Sequence, residues 1–140
     1  KALNDIQIDA VFKPVNDIIV NKKKISGSAQ TRKHGVLLQH GTILTEIEKD
    51  IFEGCLKFDS IKLKEKGAAE PFDLVTSLKT LTGNEYSQDS PGRLIESIID
   101  NYRKIFKIEI KEDRLTDKEI NAADNYMKNI FENRKWNFKR

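Results

Sequence analysis

The residues best suited to chemistry lie around a lysine in the first third of the chain. Lys24 precedes Ile25 and a run of four small residues, Ser26-Gly27-Ser28-Ala29. Glycine weakens a strand and often marks a place where a ligand or another backbone comes close, so a ligand lying there would be within reach of the Lys24 ammonium. A purely structural interpretation is also open, because a lysine in a hairpin turn is commonly solvated and a glycine can mark a β-bulge.

The elements that position these residues belong to a strand-rich segment, residues 1–45, which precedes a mainly helical segment, residues 46–140. β-branched residues punctuated by glycine predict strands over 18–21 and 25–30, joined by an exposed connection at Lys22, Lys23 and Lys24. A third apolar run, over 36–44, is interrupted by His40-Gly41 and predicts a strand that is central or covered on both faces.

Capping patterns and apolar stripes predict the helices. Capping boxes at Thr45-x-x-Glu48 and Thr116-x-x-Glu119 predict two helix starts, and the second of these helices is expected to end near residue 133. Further helices are expected from Pro71 to Thr82-Gly83-Asn84 and after Ser90-Pro91-Gly92, and residues 107–111 alternate as a possible edge strand. Strands followed by helices predict an α+β fold in one domain or part of one, residues 1–140.

Composition excludes several classes of protein. The 140 residues are 34% charged and carry a formal net charge of +3, too mild for a typical nucleic-acid-binding domain. With one cysteine, Cys55, and two histidines the chain can build neither a disulfide nor a credible zinc site, and we expect a reducing, cytoplasmic location. Its apolar runs fall far short of the roughly 20 residues that span a bilayer, so we expect neither a nucleic-acid nor a membrane partner.

The motifs together resemble a known family. Asn16-Asp17 before a short strand, then Lys24-Ile25-Ser26-Gly27-Ser28-Ala29-Gln30, then Leu38-Gln39-His40-Gly41-Thr42, are similar to the core of the lipoate-protein ligases. Trp136-Asn137-Phe138 is similar, more weakly, to the end of that family's catalytic domain. The resemblance implies a mixed or antiparallel sheet flanked by helices, in the fold shared with biotin ligases and class II aminoacyl-tRNA synthetases.

The resemblance also implies an activity and roles for residues. Such a ligase activates lipoate with ATP and Mg²⁺ to lipoyl-adenylate and passes the acyl group to a lysine of a lipoyl acceptor domain. Lys24 matches the essential lysine that contacts the carboxylate and phosphate of the adenylate. Asn16 and Asp17 match a pair near the adenylate and the magnesium, with Asp17 the candidate metal ligand. Ser26, Gly27, Ser28 and Ala29 would line the adenylate site.

Three alternatives within and beyond the superfamily stay open. Biotin ligases usually follow the lysine with a more apolar stretch than Ser26-Gly27-Ser28-Ala29-Gln30. Octanoyl or lipoyl transferases need a cysteine just before the Asn-Asp segment, where this chain has Val11, and Cys55 is expected to be a buried structural residue. A non-catalytic module that binds acceptor domains is the third. We assign no catalytic role to His40, and His34 is expected in a solvated loop.

The resemblance covers only part of the family's catalytic fold. Family members carry an arginine pair and a glycine-rich loop before the Asn-Asp segment, and some have a small accessory domain after the catalytic domain. We expect the chain to be a fragment, a subunit of a split enzyme or a degenerate relative, with a second polypeptide supplying the remaining half. Lys22, Lys23, Arg32 and Lys33 are expected to form a basic cluster, either a solvated edge or a surface that steers an acidic acceptor domain.

Overall fold

The structure, a computed structural model, describes residues 1–57, 59–65, 67–83 and 92–139, in two compact units, Lys1–Ile108 and Glu109–Arg140. The first unit contains a sheet and several helices. Its elements are α1 Ala2–Asp5, β1 Val11–Lys13, β2 Asp17–Val20, β3 Lys23–Lys33, β4 Val36–Ile43, α2 Lys49–Cys55, α3 Ser60–Glu65, a 3₁₀ helix Pro71–Leu74, α4 Leu78–Thr82 and α5 Gly92–Phe106.

The four strands form one antiparallel sheet in the order β1-β2-β3-β4. The predicted antiparallel sheet with flanking helices is therefore confirmed. Tight hairpins join β2 to β3 through Asn21-Lys22 and β3 to β4 through His34-Gly35, and all four turn residues have positive φ. This backbone matches the right-handed twist of the strands, and asparagine and glycine adopt it readily. The connection predicted at Lys22–Lys24 is too long, because Lys23 and Lys24 already belong to β3.

Strand β3 is much longer than β2, which leaves part of one hairpin without support. The pairing of β2 with β3 ends at Asp17 and Gly27, whereas β3 and β4 stay paired as far as Lys33 and Val36. Residues 29–33 and 36–40 therefore form a two-stranded extension of the sheet, which we call the arm. Its residues are exposed, so the prediction that the third strand is covered on both faces is wrong for these described residues.

A small apolar core joins the sheet to the helices. Its buried members come from α1 and the segment after it, from β2 and β3, and from α4 and α5: Leu3, Ile8, Val20, Ile25, Leu78 and Leu94. Helices α1 and α5 are tied by Asp5, whose Oδ2 accepts hydrogen bonds from Asn101 Nδ2 at 2.6 Å and Ser97 Oγ at 3.0 Å. These hydrogen bonds, that from Asn101 above all, lower the pKa of the Asp5 carboxyl.

The helix predictions have mixed outcomes. Gly83 ends α4 in the left-handed conformation, as the sequence predicts. The prediction of a capping box at Thr45 is wrong, because α2 begins at Lys49. The carbonyls of Leu44 and Thr45 instead accept hydrogen bonds from the backbone at the start of α4. The edge strand over 107–111 is also wrong, since α5 runs to Phe106 and no strand follows it among the described residues. Ser90, Pro91 and Asn84 lie outside the described residues.

The second unit is helical. It contains α6 Asp117–Tyr126, a π-helical turn Met127–Phe131 and α7 Arg134–Asn137. The capping box at Thr116 is confirmed, since Thr116 Oγ1 accepts from the Glu119 backbone and the Glu119 carboxylate accepts from the Thr116 backbone. The rings of Phe131 and Trp136 pack edge to face, with their centroids 6.2 Å apart, and join the π-helical turn to α7. No helix in the described part of the chain is both long and apolar enough to cross a membrane.

Replacing Asp5 by alanine should lower the melting temperature at pH 7, because the link between α1 and α5 is lost. The pKa of Asp5 is lowered below 3.8 in the folded protein, so its contribution is complete above that pH and disappears as the pH falls through the lowered value. Thermal unfolding of the wild-type protein and the variant, from neutral to strongly acidic pH, measures the difference in melting temperature, which should disappear in acid. A difference that persists unchanged in acid, or an equal fall in melting temperature for the exposed Asp9→Ala control, would contradict this.

Candidate functional site

The centre of the site is an ion pair that lies across a glycine. Lys24 Nζ is 2.6 Å from Asp17 Oδ1, and the two side chains are 43% and 30% exposed. The Asp17 oxygen is shielded from solvent, so the ammonium compensates its charge. A Cβ on Gly27 would stand 2.8 Å from both Cε and Nζ of Lys24 and 3.6 Å from Asp17 Oδ1. Gly27 therefore leaves the space that the lysine head occupies.

A β-bulge brings Lys24 onto the same face as Gly27. Ser26 pairs with Ile18, but Lys24 pairs with Ile19, which leaves Ile25 as an extra residue in β3. In a regular strand, residues three apart point to opposite faces; one extra residue removes that alternation. Asp17 is the cross-strand partner of Gly27 and shares its face. From the sequence, a β-bulge was only the structural alternative to a ligand site at Gly27. In the structure the bulge brings Asp17, Lys24 and Gly27 together.

The bulge is fixed from both sides. Ile25 is fully buried in the core, and its carbonyl accepts a hydrogen bond of 2.9 Å from the Leu44 backbone. The Lys24 carbonyl accepts one of 2.9 Å from the backbone of Thr76, next to a short parallel bridge between Lys24 and Val75. The position of Lys24 thus depends on residues far along the chain.

The sheet register adds two residues that sequence reasoning did not select. His40 pairs with Ala29 and Thr42 pairs with Gly27, so both lie on the face that carries Lys24 and Asp17. Both belong to the motif Leu38-Gln39-His40-Gly41-Thr42, but the sequence offered no reason to assign a catalytic role to either. Their spacing of two residues within an apolar run was the available signal, but it becomes informative only once the register with β3 is known. We call the face that carries Asp17, Lys24, Gly27, Ala29 and these two residues the lysine face.

The other predicted site residues, Asn16, Ser26 and Ser28, border a cavity of about 570 Å³ that Lys24 and Asp17 do not line. The cavity lies between the sheet and helices α1 and α5, and its wall is mainly apolar, including Ile18 and Tyr102. Residues 39–43 of the edge strand β4, His40 and Thr42 among them, also border it. The structure therefore divides the predicted set between two faces of the sheet.

Asn16 and Ser28 are held together by hydrogen bonds that continue the strand pairing. Asn16 Nδ2 donates to the Ser28 carbonyl at 2.5 Å, and the Asn16 carbonyl accepts from the Ser28 backbone at 2.9 Å and from its hydroxyl at 3.3 Å. The amide nitrogen of Asn16 is thus engaged in the fold, which leaves its side-chain oxygen as the acceptor that could meet a ligand.

Two further sequence expectations are wrong. Cys55 is exposed at the end of α2 rather than buried, because α2 is short. The basic residues do not form a cluster: Lys22 in the turn and Lys23 at the start of β3 lie at one end of this strand, whereas Arg32 and Lys33 lie at the other. At about 3.3 Å per residue, the length of this strand separates the two pairs by roughly 30 Å.

The described residues contain no group of three or more histidine, cysteine or acidic side chains able to hold a metal ion. On the lysine face the predicted set offers one hard donor, the carboxylate of Asp17, because Asn16 borders the cavity on the other face. A single carboxylate fits only a magnesium ion that takes its other ligands from phosphates and water.

Substituting Gly27 by alanine should push the Lys24 ammonium away from Asp17 without unfolding the protein. The added Cβ collides with the flexible end of a lysine, and a partly exposed ion pair contributes only about 0 to 1 kcal/mol. We expect the Lys24 Cε resonance in ¹³C-lysine-labelled protein to move while the free energy of unfolding changes by at most about 1 kcal/mol.

The matched control is Gly54→Ala in α2, where an added Cβ meets no atom within 4 Å. This change should raise stability by roughly 0.5 to 1 kcal/mol and leave the Lys24 resonance in place. An unchanged Lys24 Cε resonance in the Gly27→Ala variant would contradict the close approach of Lys24 to Gly27.

Comparison with known proteins agrees with this fold and these motifs. A family model described as the lipoyl protein ligase A/B catalytic domain matches residues 1–103. The octanoyltransferase LipM of Anoxybacillus flavithermus is 29% identical over 124 residues, which cover 89% of this chain and 44% of that protein. The chain therefore spans less than half the length of this curated relative.

Two solved structures share the fold. A bi-partite lipoate protein ligase from Thermoplasma acidophilum superposes with a TM-score of 0.76 at 23% identity, over 97% of this chain and 52% of that one. A lipoate-protein ligase A bound with ATP superposes with a TM-score of 0.72 at 23% identity, over 97% and 53%. The predicted partial biotin/lipoate ligase fold is thereby confirmed, and the chain belongs to the lipoyl protein ligase A/B catalytic-domain family.

Proposed function

We propose that this chain is the lysine-bearing part of the catalytic domain of a lipoate-protein ligase. The observation that carries the proposal is the Lys24 ammonium, fixed over Gly27 and beside Asp17 on an open face of the sheet. In the proposed reaction the lipoate carboxylate attacks the α-phosphorus of ATP, and pyrophosphate leaves. The amine of an acceptor lysine then attacks the carbonyl carbon of the adenylate, and AMP leaves.

Lys24 suits both steps because negative charge grows on oxygen atoms in each. A cation held in place before the reaction stabilises that charge without having to reorganise, and removing one such donor typically costs about 10² to 10³ in rate. Asp17 positions the ammonium through the ion pair, Gly27 leaves the space that the ammonium occupies, and the small side chain of Ala29 leaves room for a ligand beside it. His40 and Thr42 lie beside them and could hydrogen-bond the same ligand.

ATP, Mg²⁺ and lipoate are the proposed ligands. Support for ATP comes from the similar fold of a lipoate-protein ligase A bound with ATP. Magnesium would neutralise phosphate charge, held by Asp17 together with the nucleotide and water. The adenylate site proposed from the sequence, namely Asn16, Asp17, Lys24, Ser26, Gly27, Ser28 and Ala29, needs one adjustment: we propose that the ligand lies on the lysine face and that Ser26 and Ser28 support this strand from behind.

An octanoyl transferase is the second candidate, and the likeness to octanoyltransferase LipM favours it. Such a transferase carries the acyl group as a thioester and so needs a thiol at the site. In this chain Val11 stands at the expected position, in β1 opposite Ile19, and the one cysteine, Cys55, lies at the end of α2 and not on a strand of the lysine face. The absence of a suitable thiol in this chain is why we favour the ligase.

The proposed partners follow from the extent of the chain. It covers 44% of the curated relative and 52% of a bi-partite ligase studied with its lipoyl domain. We propose that residues 1–140 form part of one catalytic domain, completed by a second polypeptide or by further sequence of the same protein. The acyl acceptor would be a lipoyl domain, and a small accessory domain is a further candidate partner.

Lys24→Ala should reduce lipoyl-adenylate formation by about 10² to 10³ while the fold stays intact, since it removes the charge that stabilises the transition state. The measurement is lipoate-dependent exchange of labelled pyrophosphate into ATP by the complete enzyme, with circular dichroism as the check on folding. Lys23→Ala is the matched control, one residue earlier and paired with Val20 instead of lying beside Gly27. Comparable losses in both variants would argue against a specific role for Lys24.

A second substitution separates the ligase from the transferase. Cys55→Ser should leave acyl transfer to a lipoyl domain unchanged, because Cys55 is an exposed residue of α2 with no proposed part in the reaction. Transfer is measured from lipoate plus MgATP and, separately, from an octanoyl thioester. Transfer from the thioester alone, abolished by Cys55→Ser, would replace the ligase by the transferase.

A further inference from the structure

The arm continues the lysine face well beyond the ion pair. Along β3 and β4, successive cross-strand pairs alternate between the faces of the sheet. The pairs Gly27–Thr42, Ala29–His40, Thr31–Leu38 and Lys33–Val36 all lie on the lysine face, whereas Gln30–Gln39 and Arg32–Leu37 lie on the opposite face. From Gly27 to Lys33 this continuous track is roughly 20 Å long, at about 3.3 Å per residue.

The outer part of this track is apolar, cationic and exposed. Val36 and Leu38 are 65% and 58% exposed, and Lys33 stands beside Val36 at the tip. A two-stranded ribbon is marginally stable by itself, and exposed apolar strands invite pairing with another chain. An unsupported arm with this composition is therefore better suited to contact with a partner than to permanent exposure.

The charge of the hairpin restricts the kind of partner. Between Asp17 and Glu46 the sequence contains five basic residues and no acidic one. Lys24 is neutralised by Asp17, but the tip keeps the charges of Arg32 and Lys33. A second copy of this chain seated arm to arm would bring like charges together, which is unfavourable, whereas an acidic protein surface with apolar neighbours would be complementary.

We propose that the lysine-face side of the arm, formed by Thr31, Lys33, Val36 and Leu38, docks the acidic surface of the acyl-accepting protein. This inference rests on the proposed function, because that function supplies the acceptor. A protein seated on this strip lies on the same face as Lys24, so its target lysine can reach the acyl group without crossing the sheet. The arm thus selects the protein that is modified, whereas Lys24, held over Gly27 by its ion pair, stabilises charge during the reaction.

The test uses charge and polarity changes on the two faces of the same arm. Lys33→Glu and Leu38→Gln alter the lysine face; Arg32→Glu and Leu37→Gln make the same changes one position away, on the opposite face. Each variant of the complete enzyme is titrated with an unmodified apo lipoyl domain at about 50 mM and about 500 mM salt, where screening differs strongly. Adenylate formation is measured in parallel.

Lys33→Glu should weaken binding of the apo lipoyl domain about tenfold at low salt and much less at high salt, since the lost attraction is electrostatic. Leu38→Gln should weaken binding at both salt concentrations, since its contribution is burial of apolar surface. The opposite-face variants should weaken binding less: Leu37→Gln by less than about threefold at either salt concentration, and Arg32→Glu less than Lys33→Glu, since Arg32 adds only longer-range attraction. All four variants should form adenylate at the wild-type rate.

Two results would overturn the proposal. Equal losses on both faces, or no binding of the apo lipoyl domain to the wild-type enzyme, would mean that the arm has no acceptor-docking face. Loss of adenylate formation in the lysine-face variants would mean that the rest of the catalytic domain covers the strip. Failure of the proposed function is recognised separately, as a wild-type enzyme that makes no adenylate, and the binding comparison still decides the role of the arm.

Discussion

The arrangement of the candidate site depends on one extra residue in one strand. Because Ile25 is inserted opposite β2, Lys24 moves to the face that carries Asp17 and Gly27. Without the bulge the same sequence would direct the lysine to the helix-covered face, and the space over Gly27 would stay empty. Burial of Ile25 in the core stabilises the distortion, so the free energy of folding maintains the position of the ammonium.

The two faces of the sheet differ in the residues they carry and in what covers them. The helix-covered face supplies the core, and its polar residues, such as Ser26, border a largely apolar cavity. The lysine face is open and carries a compensated ion pair, a glycine and small or polar neighbours. Antiparallel sheets commonly bury one face and expose the other, and here the exposed face has the composition expected of a ligand-binding surface. The arm extends that face beyond the part of the sheet that β2 supports.

The sequence was sufficient to identify the family and to select Lys24, Gly27 and Asp17, which the structure brings together, because the motif is compact and its residue types are specific. It could not show that Ser26 and Ser28 lie on the face opposite Lys24, since the sequence does not give the position of a bulge and one extra residue reverses the side-chain alternation. His40 was passed over for a related reason: its significance comes from pairing with Ala29 across the sheet. Cys55 was misjudged because α2 begins at Lys49, later than the Thr45 pattern predicts, and leaves its last residue, Cys55, exposed.

The ion pair holds the lysine in position without locking it. Lys24 and Asp17 are both partly exposed, and pairs of this kind contribute about 0 to 1 kcal/mol to stability. Transferring the ammonium from the carboxylate to a phosphate would therefore cost little, because the phosphate offers more negative charge at a similar distance. The steric requirement at Gly27 is different, because it persists whichever anion the lysine meets. In the proposed enzyme the glycine would thus define where the charge lies, and the aspartate would keep it there until the nucleotide arrives.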